Sequence, residues 1–158
     1  MKILLDPEGR IDPIAFREAA MILIGIGAVL SLLPLAAPSL TMLSFASLLL
    51  LYPWLVIWVK RFHDAGKSGW MFLPLLVLWL IVGAGAHSFI SAKFAPALVA
   101  RPTNLSEAMA AAVVKIQATA LPNTIVSVVL ALAFILIGNA LLKSSPGPNA
   151  YDPPSHMR

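Results

Sequence analysis

Long runs without charge dominate the pattern of hydrophobic and polar positions along the chain. No Asp, Glu, Lys or Arg occurs from Ala19 to Val59, from Ser68 to Ala92, or from Ile116 to Leu142. A helix that spans a bilayer needs about 20 predominantly apolar residues. The first run is therefore long enough for two spanning helices, and each of the other runs is long enough for one. The pattern predicts an all-α integral membrane protein with four transmembrane helices and a short surface helix before the last one.

Proline and capping residues divide this single predicted membrane domain into elements. Asp12-Pro13 is typical of a helix start, with Asp as the N-cap and Pro at the first helical position. Pro34 and Pro38 mark the turn between the first two spans, and Pro53 predicts a kink in the second. The predicted parts are an N-terminal segment at 1–12, spans at 13–35, 39–62, 69–92 and 123–142, a hairpin at 63–68, a loop at 93–122 and a tail at 143–158.

The loop before the last span contains its own helical pattern. Ser106-Glu107 opens an Ala-rich segment that favours helix. Met109, Val113 and Ile116 can share one face, which predicts a helix over 106–120 lying along the membrane surface. Pro122 is expected to break or kink it. The tail is rich in Pro, Gly, Ser and Asn, and this composition predicts no regular structure.

Composition supports lipid as the solvent of this chain. Of its 158 residues, 59% are hydrophobic and 11% are charged, whereas a soluble domain carries about 25% charged residues. The absence of Cys excludes disulfides, thiolate catalysis and Cys-based metal sites. The His residues show no paired spacing of metal ligands, so we predict no metal and no cofactor. The predicted partner is the lipid bilayer, and no nucleic-acid-binding module is recognisable.

The distribution of Lys and Arg predicts an orientation. Four spans place both termini and the 63–68 hairpin on one side of the membrane. Cytoplasmic loops carry an excess of Lys and Arg. We therefore expect the termini to be cytoplasmic in a multi-pass protein of the bacterial inner membrane. Eight cations lie on that side and three on the other: Lys2, Arg10, Arg17, Lys60, Arg61, Lys67, Lys143 and Arg158 against Lys93, Arg101 and Lys115.

Two features of the third span are candidates for contact or chemistry. Ala84, Ser88 and Ala92 place small residues at four-residue spacing, which favours close packing of another helix. His87 lies in the later turns of the same span. It fits a hydrogen-bonded or interfacial histidine, and the alternative is a role in proton transfer or metal binding.

The densest cluster of ionisable groups between the apolar runs is Lys60–Trp70. Its part Arg61-Phe62-His63-Asp64-Ala65-Gly66-Lys67-Ser68-Gly69-Trp70 resembles the Arg-Leu-His-Asp-x-Gly-Lys/Arg-Ser-Gly-Trp signature of the domain-of-unknown-function 805 (DUF805) family of bacterial inner-membrane proteins. Gly9-Arg10-Ile11 with Phe16-Arg17 resembles the opening of that family, and Pro146–Pro153 resembles its ending. The resemblance spans the whole chain. It implies a small helical membrane protein and no known activity.

Two interpretations of this motif stay open. In the first it is a structural clasp, in which Asp64 pairs with Arg61, Lys67 or Arg10, while Ser68 caps the third span and Trp70 anchors at the interface. Exposed ion pairs of this kind contribute about 0 to 1 kcal/mol each. In the second it is an anion or anionic-lipid headgroup site, built from Arg61, His63 and Lys67 beside the N–H groups that begin the third span. The candidate residues are Arg10, Arg61, His63, Asp64, Lys67, Ser68, Gly69, Trp70, Asn149 and Asp152.

No catalytic constellation is visible in the sequence. His63 and Asp64 are adjacent rather than parts of a spaced triad, and no Ser lies in a recognisable nucleophile elbow. We therefore expect a non-enzymatic accessory or assembly subunit of a larger membrane complex. The alternative is a small transporter or an anionic-lipid- or anion-binding membrane module. The transporter has less support, because no span carries an acidic or basic residue at its centre.

Overall fold

The computed structural model of the chain describes residues 2–95 and 102–151, and every regular element in these ranges is helical. The predicted loop residues 96–101 and tail residues 152–158 lie outside this description. Four of the helices are long and apolar enough to cross a membrane, which confirms the predicted all-α fold with four spans. The helices are α1 (Lys2–Leu5), α2 (Pro13–Ala36), α3 (Pro38–Asp64), α4 (Gly69–Phe94) and α5 (Leu105–Leu141).

Side-chain caps fix the starts of three helices. Asp12 caps α2 as predicted, because its Oδ1 accepts hydrogen bonds from the backbone N–H groups of Ile14 and Ala15. The N–H of Ala15, with a smaller contribution from that of Ile14, holds the pKa of the Asp12 carboxyl below its usual 3.8. Ser68 caps α4, also as predicted, and Asn104 caps α5 by accepting from Glu107 N at 2.9 Å.

The second span is not one regular α-helix. Within α3, the backbone is 3₁₀-helical over Pro38–Leu40 and Phe45–Leu50 and α-helical over Thr41–Ser44 and Leu51–Asp64. Pro53 therefore lies in the first turn of the final α-helical stretch, where a missing N–H is tolerated. At the predicted kink, the helix changes from 3₁₀ to α just before Pro53.

The prediction of a separate surface helix over 106–120 is wrong. Residues Leu105–Leu141 form one continuous helix of 37 residues, with Pro122 inside it. A proline in a helix interior costs about 3 kcal/mol, but apolar, helix-favouring residues continue on both sides and pack against α2. The hydroxyls of Thr119 and Thr124 also donate to carbonyls one turn back, which is typical of residues near a membrane-helix proline.

Two hydrogen bonds set α2 and α5 side by side in antiparallel orientation. Gln117 Nε2 donates to the carbonyl of Pro34 at one end, and Asn139 Nδ2 donates to the carbonyl of Pro13 at the other. The first part of α5 therefore extends about 18 Å past the level of Pro34, at 1.5 Å per residue from Gln117 back to Leu105. Residues 105–110 at the start of α5 are all exposed, as are residues 102–104 just before it.

The four spans are joined most tightly near the 63–68 hairpin. Trp58 on α3 packs there between Phe16 on α2 and Phe72 at the start of α4, with ring centroids 4.9 and 6.2 Å apart. Farther along, α4 packs against α5, and Trp79 meets Phe134 edge to face. The contact of α4 with α3 is made through the Leu51–Asp64 half of α3. The hairpin end is therefore the end at which all four spans meet.

Candidate functional site

The signature motif lies at the hairpin, where two chain segments distant in sequence converge on it. The segment before α2 approaches from one side, and the segment after α5 approaches from the other. At the centre is the pair Arg61 and Asp64, which are 1% and 4% exposed. We call the group formed by Arg10, Arg61, Asp64, Asn139 and Ser144 the polar clasp.

Arg61 uses every N–H of its guanidinium inside the chain. Its Nε donates to Asn139 Oδ1 at 2.6 Å, and its Nη1 donates to Asp64 Oδ2 at 2.6 Å and to Ser144 Oγ at 3.5 Å. Its Nη2 donates to the carbonyls of Asn139 and Leu142. These carbonyls belong to the last turn of α5 and the residue after it, where backbone acceptors lack helical partners. Arg61 thus completes the end of α5 and has no donor left over.

Asp64 is equally well satisfied. Its Oδ1 accepts from Nε and Nη2 of Arg10, at 3.3 and 3.1 Å, and its Oδ2 accepts from Arg61 and from the hydroxyl of Ser144 at 2.5 Å. The prediction that a cation holds Asp64 is confirmed for Arg10 and Arg61. Lys67, the third predicted partner, is exposed and makes no ion pair with Asp64 among the residues that the structure describes.

The expectation that these pairs are exposed and weak is wrong for Arg61–Asp64. The tail after α5 covers the pair, so that neither side chain is hydrated. Removing one member of a buried pair leaves an uncompensated charge and costs about 3–5 kcal/mol. The Arg10–Asp64 contact is closer to the expected kind, because the Arg10 side chain is 21% exposed.

The described part of the Pro/Gly-rich tail, residues 143–151, is docked on the hairpin through its backbone and side chains. Ser145 donates its N–H and its hydroxyl to the carbonyl of Asp64, and Arg10 Nη1 donates to the carbonyl of Gly147 at 2.9 Å. Asn149 Nδ2 donates to the carbonyl of His63 at 2.9 Å. Absence of regular structure, as predicted for the tail, therefore does not mean absence of fixed contacts. Asp152, another candidate of the motif, lies outside the described residues.

His63 links the N-terminal segment to the tail. Its Nδ1 lies 3.1 Å from the carbonyl of Gly9. Its ring is stacked on Tyr151 at a centroid distance of 3.9 Å and an interplanar angle of 3°. The ring is thus held on one edge and one face. Its position serves to join three segments of the chain.

The two glycines of the motif have separate physical roles. Gly66 has φ of +68°, and the N–H groups of Gly66 and Lys67 bond back to the carbonyls of His63 and Phe62, which closes α3 as a Schellman motif. A Cβ on Gly69 would lie 2.7 Å from Val59 Cγ1 and 3.2 Å from His63 Nε2. Glycine at 69 therefore lets α4 begin against α3.

The last candidates of the motif begin α4. Ser68 Oγ accepts from Trp70 N at 3.4 Å. The side chain of Trp70 is 78% exposed at the hairpin end, where a membrane interface is expected, and its role as an interfacial anchor stays a prediction.

The candidate helix-packing residues Ala84, Ser88 and Ala92 are exposed, so they do not pack inside the described chain. The close approach of helices occurs elsewhere. A Cβ on Gly138 of α5 would lie 2.9 Å from Cζ3 of Trp58 on α3. Sequence reasoning missed this contact because a single glycine in an apolar run carries no mark of its neighbour.

The sequence analysis did not identify the contacts that Asn139, Ser144 and Ser145 make with the hairpin. One signal was available: Asn139 is a polar residue in the last turn of an apolar span. Within residues 2–95 and 102–151, no group of three or more His, Cys, Asp or Glu is placed to hold a metal ion. The clasp can hold segments together: the buried Arg61–Asp64 pair has no net charge, and Arg10 adds one positive charge beside it.

Comparison with known proteins agrees with the motif. The chain matches the family model described as "Protein of unknown function (DUF805)" over residues 5–153. No curated protein and no solved structure gives a match. The matched range includes the N-terminal segment, the hairpin and the start of the tail, which are the three parts joined at the clasp. The chain therefore belongs to the DUF805 family.

Proposed function

We propose that this protein is a non-enzymatic accessory or assembly subunit of a larger complex in the bacterial inner membrane. The observation that carries the proposal is the internal saturation of the clasp. The donors of Arg61 and the acceptors of Asp64 are engaged in hydrogen bonds at the ends of α3 and α5 and with the tail. The motif thus supports a structural role, which leaves the membrane-facing surface as the region that acts on other molecules.

The outward face of α4 is the best-supported docking surface. In its most apolar 18-residue window, 6% of α4 is buried inside the chain, compared with 28% of α2. Ala84, Ser88 and Ala92 are exposed on this helix at four-residue spacing. In lipid, small residues at this spacing let two helix backbones approach closely, which strengthens van der Waals packing.

The alternatives have less support from the geometry. An anion or lipid headgroup at the motif could not use Arg61, whose donors are engaged within the chain, and of the three predicted side chains only Lys67 is exposed. His63 is likewise held between Gly9 and Tyr151. A transporter of charged solutes would need charged groups along its path, whereas the cavity described below has no Asp, Glu, Lys or Arg among the described residues that line it.

The cation distribution supports cytoplasmic termini. The chain contains no Cys, so single replacements report the topology directly. Lys67 and Lys143 are exposed at the hairpin end, and Thr103 is exposed at the other end. Each is replaced by Cys in a separate variant. A membrane-impermeant maleimide added to spheroplasts should label position 103 and spare positions 67 and 143. The reverse pattern would contradict the proposed orientation.

Crosslinking tests the accessory role. A photo-crosslinking amino acid at Ser88 should capture one defined membrane protein in intact cells, and Ser88→Leu should prevent co-purification of that protein in mild detergent. Phe89→Trp is the matched control, because Phe89 is 61% exposed and lies about 100° around the same helix. No crosslink at Ser88 together with purification as a lone monomer that moves a solute across liposomes would contradict the proposal and favour the transporter.

A further inference from the structure

Residues from all four spans line a partly open cavity of about 650 Å³ next to the packed rings of Phe16, Trp58 and Phe72. This volume falls within the roughly 300–1,000 Å³ of pockets that hold small molecules. Trp58 and Phe72 lie at the end nearer the hairpin, and His87 and Thr124 lie at the other end. The distance along α5 from Ile135 to Thr124 is about 16 Å at 1.5 Å per residue. The cavity is therefore long enough for part of a hydrocarbon chain.

The cavity opens between α3 and α4. Leu48 and Leu80 line its walls from these two helices, and they are 61% and 58% exposed. The two helices contact each other through the Leu51–Asp64 half of α3, whereas the first half of α3 has fewer contacts with α4. A chain from the surrounding bilayer can enter through this side opening.

The wall chemistry selects against charge. Among the described residues that line the cavity there is no Asp, Glu, Lys or Arg. Most of the lining is aliphatic or aromatic, with hydroxyl groups from Ser31, Ser47, Thr124 and Ser127. An ionised headgroup placed here would be buried without a counter-charge, which is strongly unfavourable. The cavity suits an uncharged and largely apolar molecule.

One polar pair on the wall can bind a head group. His87 Nδ1 lies 2.9 Å from Asn123 Oδ1, and His87 Nε2 lies 3.4 Å from Ser127 Oγ. The Asn123 amide oxygen favours the tautomer of His87 with hydrogen on Nδ1, and in that tautomer Nε2 is an acceptor. A ligand hydroxyl that replaces the 3.4 Å contact between Ser127 and His87 would donate to Nε2 and accept from the hydroxyl of Ser127.

We propose that this cavity binds an uncharged lipid that carries a single hydroxyl on a long hydrocarbon chain. The hydrocarbon fills the apolar walls between the four spans, and the hydroxyl is recognised by His87 and Ser127. This site is distinct from the clasp and from the outward face of α4. It gives the protein a ligand in addition to the proposed partner.

Quenching of tryptophan fluorescence tests the proposal. Trp54, Trp58 and Trp79 line the cavity, whereas Trp70 is exposed away from it. The Trp70→Phe protein in phosphatidylcholine nanodiscs is titrated with 9,10-dibromostearyl alcohol, whose bromines quench nearby indoles. We expect saturable quenching that excess oleyl alcohol reverses. Dibromostearic acid at pH 9, where the carboxyl is ionised, should bind at least about tenfold more weakly because no cation lines the cavity.

Variants locate the binding site. Ala28→Phe fills the cavity from α2 and should abolish saturable quenching, whereas Val29→Phe, at an adjacent position that is 63% exposed, should leave it unchanged. His87→Leu removes one hydrogen bond and should weaken binding about three- to tenfold. Size-exclusion chromatography and circular dichroism of each variant check that the helices are retained.

The proposal is overturned if quenching rises linearly with the mole fraction of the alcohol and is equal in the Ala28→Phe and Val29→Phe proteins. The cavity would then hold bulk bilayer chains without selection. It is also overturned if the ionised acid binds as well as the alcohol. The purified protein is used without a partner, so either failure leaves the proposed accessory role untouched.

Discussion

The two ends of the same helical bundle are held by different interactions. At the hairpin end, Arg61 and Asp64 are buried, their hydrogen bonds are saturated, and Trp58 packs against Gly138. Toward the other end, α4 packs along α5, a cavity separates it from α3, and the first part of α5 projects without covering. The comparison teaches that the contacts of the motif fix one end of the bundle, while the other end is less closely packed.

The largest expected effect is the loss of one charge from the clasp. Asp64→Ala leaves Arg61 buried without its counter-charge, so we expect the free energy of unfolding to fall by about 3–5 kcal/mol. Equilibrium unfolding by SDS in mixed micelles measures the change. Glu18→Ala is the matched control at an exposed carboxylate and should change stability by less than about 0.5 kcal/mol. Equal losses of stability from the two substitutions would show that the buried Asp64 contributes no more to stability than an exposed carboxylate does.

A methyl group added to a glycine should act in opposite directions at the two ends. Gly138→Ala forces a Cβ against the ring of Trp58, and overpacking of this kind costs about 1–3 kcal/mol. Gly83→Ala adds the same methyl where it would meet nothing within 4 Å, and it should stabilise α4 by about 0.5–1 kcal/mol. Thermal unfolding of the two variants gives the comparison. Destabilisation by Gly83→Ala as large as that by Gly138→Ala would show that α4 is as tightly packed as the clasp end.

The smallest expected effects concern the helix caps. Asp12→Ala removes the cap of α2 and should cost about 1 kcal/mol, whereas Asn104→Ala should fray the projecting start of α5 with little effect on global unfolding. Hydrogen–deuterium exchange at residues 105–110 separates the two outcomes.

Because folding lowers the pKa of Asp12, its carboxylate stabilises the protein fully above the unfolded pKa, and this contribution is lost as the pH falls through the folded value. If Asp12→Ala leaves the acid dependence of stability unchanged, this cap makes no such contribution.

The sequence predicts the parts of this fold that depend on near neighbours. The uncharged runs, the caps at Asp12 and Ser68, and the left-handed Gly66 follow from local chemistry. The pairing of Asp64 was also predictable in outline, because Arg61 lies one helical turn away. Local pattern could not show that the tail docks on the hairpin, since Ser144 and Ser145 are about 80 positions from their partners.

Burial was the other quantity that local pattern could not give. The clasp looks exposed in the sequence because it lies in a polar hairpin, and it becomes buried only when the tail covers it. Pro122 shows the same limit, because its local preference to break a helix is outweighed by packing along α2. The size of the cavity depends on the separation of α3 and α4, and no single segment of the sequence determines that separation.

A double-mutant cycle on Arg61 and Asp64 tests the central claim most directly. The unfolding free energies of the wild type, Arg61→Met, Asp64→Leu and the double variant are measured under one condition, and the coupling between the two substitutions is calculated. A structural, self-saturated clasp predicts a coupling of about 2 kcal/mol or more, with the double variant more stable than either single variant, since it buries no unpaired charge. A coupling below about 0.5 kcal/mol, with single variants as stable as the wild type, would contradict a structural role for the pair and favour a binding role for the motif.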